Sequence, residues 1–279
     1  MSIFERTAVL RALKAVLKRT LFRPGTTVRI LRGPLRGYQY VLSEEAGWAP
    51  IYGGWEPAAT KAYQRFISSG SVVFDLGANT GMHTLLFSKL VGQRGRVVAF
   101  EPLPENVAIL HRLLALNDIG NVEIRAEALS DVPGRSSFKL GIDSKQGSLV
   151  GIGREAGKEI TVDVESLDNI IERGLPAPDF VKIDIEGKES AALMGFRRTI
   201  ARTYPSFAIE LHTPAEDVRV GMFLADHGYK LYRLRDGTSI KKTKQKEILA
   251  PIHRYDVGWP NDEGVWGTII AVHSTRNFV

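Results

Sequence analysis

The chain of 279 residues contains no cysteine. That excludes disulfide scaffolds, thiolate zinc sites and cysteine nucleophiles together, and it fits a reducing, cytoplasmic setting. Nor does any apolar run approach the ~18–20 residues that a membrane-spanning helix needs. The first twenty residues lack a continuous apolar segment and a small-residue cleavage site, so no signal peptide is expected. Acids are scarce at the start: residues 1–36 hold Arg6, Arg11, Lys14, Lys18, Arg19, Arg23, Arg29, Arg32 and Arg36 against Glu5 alone. That segment has an excess of eight positive charges, so the rest of a chain of net charge +6 sums to −2. An enzyme of nucleic acids tends to spread basic residues across its body, so nucleic acid is not an expected partner. What is present, 44% hydrophobic and 24% charged residues, is the composition of a globular protein that needs no staple.

Two regions are expected: a basic appendage of helix and hairpin over residues 1–51, and a main domain over 52–279. In the appendage, Val9, Leu10, Leu13, Val16, Leu17 and Leu21 recur at helical spacing from about Thr7 to Phe22, with Arg11, Lys14 and Lys18 opposite. Such a stripe packs on a core more often than on a membrane. The alternative is peripheral contact of residues 1–23 with an anionic membrane surface. Residues 26–42 alternate weakly around Gly33-Pro34 and Gly37, as a hairpin would.

The main domain alternates short apolar strands with helices. Strands are expected at 72–74, 96–100, 121–125, 180–185 and 207–211, with helices at 56–68, after Gly81 through Leu90, at 105–116, 188–202 and 215–226. This alternation gives a parallel sheet with helices on both faces. Residues 229–234 and 266–272 read as a closing antiparallel pair, with the lysine-rich stretch between them as a solvated loop. Residues 134–164 interrupt the alternation with three strand-like pieces, a small β insertion.

Open α/β sheets bind ligands at the carboxyl ends of their strands. There, Gly77 and Gly81 give a tight turn after the first main-domain strand, and Asp75 precedes it. A dinucleotide site would favour a third glycine near the helix start, where His83 stands. A preceding acid also suits a cationic or amine-bearing ligand. Glu101, directly after the second strand, is placed to accept hydrogen bonds from two ribose hydroxyls, with Leu103 as the nearest cover for a base.

The stretch Asp75-Leu76-Gly77-Ala78-Asn79-Thr80-Gly81 resembles motif I of S-adenosylmethionine-dependent methyltransferases, in the form typical of the FkbM family. Further blocks agree in order and spacing: Phe100-Glu101-Pro102 with Asn106, Ala126-Glu127-Ala128-Leu129-Ser130-Asp131, Val181 to Gly187 with Glu189, and Ile209-Glu210-Leu211-His212. The resemblance runs from about Tyr52 to Val272. It implies a class I methyltransferase fold, α/β and Rossmann-like, with a seven-stranded sheet whose last strand is antiparallel. It implies S-adenosylmethionine as cofactor, held by Asp75, Gly77, Ala78, Asn79, Gly81, His83, Thr84, Glu101, Pro102, Leu103, Asn106, Glu127, Ala128, Leu129 and Asp184. It also implies O-methylation of a small-molecule, saccharide or lipid-linked acceptor. The alternatives are an RNA ribose methyltransferase and a non-catalytic cofactor-binding protein.

An aliphatic hydroxyl is a poor nucleophile until its proton is accepted, so a base is expected near the methyl. Asp184, Glu210 and His212 stand at the carboxyl ends of the central strands and are the catalytic candidates. Continued alternation along Asp184-Ile185-Glu186 would put both carboxylates on one side, and with Glu210 they could hold Mg²⁺. The other reading is a metal-free base, for which the ordinary pKa of histidine favours His212. Glu186 is equally readable as an acid facing the dipole of the helix at 188–202.

Overall fold

A computed structural model describes residues 23–43, 49–140, 147–149, 159–234, 249–252 and 267–276. The chain divides into two compact units, Met1–Trp55 and Glu56–Val279. In the first, β1 (Thr27–Arg29) and β2 (Gln39–Val41) pair antiparallel, as the alternation over 26–42 predicts. The helix expected over residues 7–22 lies outside the described residues.

The second unit runs α1 (Pro57–Phe66), β3 (Val72–Leu76), α2 (Met82–Val91), β4 (Arg96–Phe100), α3 (Pro104–Leu116) and β5 (Val122–Arg125). There follow β6 (Ala128–Leu129), β7 (Gly134–Leu140), β8 (Gly147–Leu149), β9 (Glu159–Glu165) and α4 (Leu167–Glu172). The last part is β10 (Phe180–Ile183), α5 (Glu189–Met194), α6 (Arg197–Thr203), β11 (Ser206–Leu211), α7 (Pro214–Asp226), β12 (Tyr229–Leu234), β13 (Leu249–Ile252) and β14 (Gly267–His273). Proline at the first helical turn starts α1, α3 and α7, where its missing N–H costs nothing. Thr213 also caps α7 by accepting from the Glu216 N–H at 3.2 Å.

The main sheet has the order β13-β12-β14-β11-β10-β3-β4-β5. From β11 to β5 all pairs are parallel, and β14 runs antiparallel between β11 and β12. This is the class I methyltransferase arrangement that the sequence implied, with one addition. The expected seven strands become eight, because β13 adds an antiparallel edge. It arises inside the stretch read as a solvated loop, and Pro251 is tolerated there because an edge strand leaves some N–H positions unused.

Strands β3, β4 and β10 are buried almost throughout, which requires cover on both faces of the sheet. Phe74, Phe100, Val181, Ile183, Phe196, Phe207 and Leu224 lie in the main core. The β insertion forms a second sheet in the order β6-β9-β7-β8. The single helix expected over 188–202 is two, α5 and α6, broken at Gly195. A Cβ on Gly195 would lie 2.3 Å from the carbonyl oxygen of Ser130, so this turn abuts the backbone that leads into the insertion.

Candidate active site

The parallel strands place the ends of β3, β4, β10 and β11 along one edge. The turn after β3 is left-handed at Gly77, Asn79 and Gly81, with φ of 77°, 49° and 87°. A Cβ on Gly77 would fall 1.8 Å from the carbonyl oxygen of Asp184, so the turn needs glycine both for its φ and for the approach of the β10 end. The Gly77 and Ala78 N–H groups both donate to the Phe100 carbonyl at 3.0 Å, fastening the turn to the end of β4.

Glu101 follows β4 and is only 4% exposed. Its Oε2 accepts from the Asn79 N–H at 2.8 Å, and its Oε1 from the Leu103 N–H at 3.0 Å and Asn106 Nδ2 at 3.3 Å. A carboxylate offers roughly four lone-pair sites, so acceptor capacity remains. Burial pushes the Glu101 carboxyl up from its ordinary value. Pro102 is partly exposed beside it. Leu103 packs with Ala128, Val162 and Val164, joining the turn after β4 to the insertion. Leu129 extends β6 and lies in the main core. Glu127 grips the Arg125 guanidinium through both oxygens, at 3.1 and 3.0 Å.

Asp75, fully buried in β3, accepts from the Thr84 hydroxyl at 2.6 Å and faces the Lys182 ammonium at 3.6 Å. Lys182 is 4% exposed in the middle of β10. Its Nζ donates to the Gly77 carbonyl at 3.0 Å and pairs with Asp184 Oδ2 at 3.1 Å. Burial alone would lower the lysine's pKa, but Asp184 and Asp75 outweigh it and hold the ammonium charged. Sequence reasoning gave Lys182 no role. The available signal was a cation within an otherwise apolar buried strand, which needs partners at both strand ends.

His83, at the start of α2, contacts α1 and the residue before it. Its Nε2 lies 3.3 Å from Glu56 Oε2, and its ring packs on Tyr63 and Phe87. Burial pushes the Glu56 carboxyl up, but the bond with His83 and the charges of His83 and Lys182 prevail and hold it below its ordinary value.

The acceptor side differs from the pattern expected. Strand β10 stops at Ile183, so Asp184 and Glu186 are not alternating strand residues. Glu186 sits in a left-handed turn with φ 57°. Glu186 stands two residues before Lys188, the residue that precedes α5. His212 joins these groups: its Nε2 is 3.4 Å from Asp184 Oδ1 and 3.6 Å from Glu186 Oε2, and its Nδ1 is 3.0 Å from Glu189 Oε1. Asp184, Glu186 and His212 each bring one ligand-type atom within 4.8 Å of the others, so His212 takes the place given to Glu210 in the expected metal set. Desolvation works against the imidazolium, but Glu189, Glu186 and Asp184 raise the His212 pKa to about 9. These carboxylates favour the charged ring at neutral pH, whereas the ordinary pKa of histidine favours the neutral one. Burial would raise the Asp184 carboxyl, yet Lys182 and His212 hold it below its ordinary value.

Glu210 stands apart from this bonding. It is the penultimate residue of β11, paired across the sheet with Thr268. No hydrogen bond or ion pair joins its carboxyl to another described residue. Partial burial, with the charges of Asp184 and Glu56, raises its pKa to about 7.

Residues 75–231 match the family profile described as the methyltransferase FkbM domain. The chain belongs to the FkbM methyltransferase family. It is thus an S-adenosylmethionine-dependent methyltransferase, and the Asp75–Gly81 turn with Glu101 lies in its matched region. Among curated relatives, methyltransferase sdnD of Sordaria araneosa is 27% identical over 61% of this chain and 77% of its own length. The hexuronic acid methyltransferase AglP of Haloferax volcanii is 28% identical over 56% of this chain and 62% of its own length. The 31-O-demethyl-FK506 methyltransferase FkbM of Streptomyces tacrolimicus is 31% identical over 45% of this chain and 59% of its own. The FkbM-type chain therefore spans about three fifths of the last two relatives. The crystal structure of methyltransferase FkbM from Methylobacillus flagellatus KT aligns with a TM-score of 0.47 at 18% identity, over 77% of this chain and 50% of that one.

Proposed function

We propose that this methyltransferase acts on a hydroxyl oxygen of a sugar, glycolipid or natural product, with Glu210 as general base. The observation that carries this reading is the state of the Glu210 carboxyl: half-buried, without a protein hydrogen-bond partner among the described residues, and with a pKa near 7. A base poised near the working pH combines availability with proton affinity. Two relatives support the substrate class by their names, which give hexuronic acid and 31-O-demethyl-FK506 as what they methylate.

The residues at the β3 and β4 ends fit the cofactor. Gly77 lets the turn lie against the Asp184 carbonyl and Gly81 lets it lie against Leu110 and Leu113, and Glu101 keeps acceptor capacity for a ribose. Buried Asp75 and partly exposed Asp184 put negative charge beside that turn, which suits a sulfonium. When bound, S-adenosylmethionine supplies an electrophilic methyl group. Glu210 accepts the acceptor hydroxyl's proton, Lys182 holds Asp184 and the turn in register, and His212 fixes the Asp184–Glu186 side of the site.

Mg²⁺ fits this arrangement poorly. It prefers oxygen ligands in near-octahedral array, whereas the converging set here includes an imidazole nitrogen and excludes Glu210. The Lys182 ammonium is also within 3.1 Å of Asp184, so the carboxylates have cationic partners from the chain itself. The test is the Glu210→Gln variant, with S-adenosylhomocysteine release measured in the presence of saccharide and lipid extracts from the producing cell. Loss of turnover by ~10² or more with cofactor affinity retained supports the base assignment, and full turnover would remove it.

A further inference from the structure

Glu189 is 0% exposed and is the first residue of α5, a helix six residues long. Its Oε1 accepts from the Gly187 N–H at 2.9 Å, which closes the turn carrying Glu186, and from His212 Nδ1 at 3.0 Å. The other oxygen, Oε2, has no hydrogen-bond partner among the described residues. A buried carboxylate on one ring nitrogen decides the orientation and protonation of the other.

We propose that Glu189 is a positioning residue: it locks the His212 ring with Nδ1 donating inward and Nε2 presented to Asp184 and Glu186, and thereby keeps a positive charge beside Glu210. The inference rests on the reading of Glu210 as the base but concerns a different step. The groups facing His212 are Asp184 and Glu186 from the turn after β10, Glu189 from α5, and Glu210 from its own strand end, with Lys182 behind Asp184. The imidazolium lowers the proton affinity of Glu210, while burial, Asp184 and Glu56 raise it. Without Glu189 the ring would lose its strongest anionic partner, hold its proton less firmly, and leave Glu210 protonated to higher pH.

The experiment is ring-nitrogen and carboxyl-carbon NMR titration of the full-length protein, wild type and Glu189→Gln, with S-adenosylhomocysteine binding as the check of fold. Expected in the wild type are both His212 ring nitrogens protonated at neutral pH, with the Nδ1 proton strongly downfield. In Glu189→Gln the His212 midpoint should fall by roughly one pH unit or more, and that of Glu210 should rise. Glu189→Asp, which keeps the charge at shorter reach, should restore part of both shifts. A wild-type His212 already neutral at pH 7, or a midpoint unmoved in the variant, would overturn the proposal. Should Glu189→Gln fail to fold, the wild-type spectrum and Glu189→Asp decide it. A failure of Glu210 as base would appear in turnover and leave these titrations unchanged, so the two outcomes are distinguishable.

Discussion

The Lys182 ammonium lies 3.1 Å from Asp184 Oδ2, and the same buried cation ties the end of β10 to the turn after β3 through the Gly77 carbonyl. The same Nζ reaches the Gly77 carbonyl at 3.0 Å and stands 3.6 Å from Asp75. Replacing Lys182 with Met would leave the buried Asp75 and the partly buried Asp184 without their common counter-charge. Such a loss costs about 3–5 kcal/mol. Chemical denaturation should therefore show a large drop in midpoint, and Lys182→Arg should recover less than full stability because a guanidinium does not fit the ammonium's compact site. A Lys182→Met protein as stable as wild type would show that the lysine is not the organising charge.

Glu101 should matter for cofactor binding more than for folding. Its oxygens already receive three hydrogen bonds from the Asn79 and Leu103 N–H groups and from Asn106, so the carboxylate is held in place before any ligand arrives. Glu101→Ala should weaken S-adenosylhomocysteine binding by about 1–3 kcal/mol, the cost of losing hydrogen bonds to a charged group. Calorimetry measures this directly. Unchanged affinity would remove Glu101 from the ribose site.

The pH dependence of turnover follows from Glu210. With its pKa raised to about 7, the carboxylate form required of a base forms as pH rises through that value. Initial rates should increase from pH 6 to 8 with a midpoint near 7 and then level, while cofactor saturation is maintained. A chelator should leave these rates unchanged, since Lys182 and His212 supply the positive charge at Asp184. Loss of activity with a chelator and its return with a divalent cation would contradict that assignment.

Stability should fall on the alkaline side. The folded-state pKa of His212 is raised from 6.5 to about 9, so its contribution is fully present below 6.5 and is lost as pH rises through 9. Glu210, raised from 4.5 to about 7, acts in the same direction over a lower window. The thermal midpoint of the wild type should therefore decline between pH 6.5 and 9, and His212→Gln should show a flatter profile over that range. Identical profiles would mean that the ring gains no net stabilisation from its carboxylates.

The sheet was largely legible in the sequence because β3 and β4 are short, mostly apolar runs, each closed by a chemically marked turn. Asp75 to Gly81 after β3 and Glu101-Pro102 after β4 are local signals, and their geometry is local too. Strand β13 was hidden because Leu249 to Ile252 is brief, contains proline and follows a lysine run, so nothing periodic distinguishes it from a loop. On the acceptor side, the expected alternation runs three residues past the end of β10, where a left-handed residue at Glu186 changes the direction of the chain. The charge state of His212 was illegible for another reason. It depends on Glu189, 23 residues away in sequence, and on a burial that only the tertiary structure creates.

The central claim is transfer of a methyl group to oxygen, and one measurement addresses it most directly. The purified protein is incubated with S-adenosylmethionine carrying a ¹³C-labelled methyl and with saccharide and lipid extracts of the producing cell. Products are then read by mass spectrometry and carbon NMR. The predicted result is one product class heavier by a single labelled methylene unit, with the label resonating as an O-methyl ether or ester, and no such product from Glu210→Gln. Label on nitrogen or carbon, or the same product from the variant, would contradict the account.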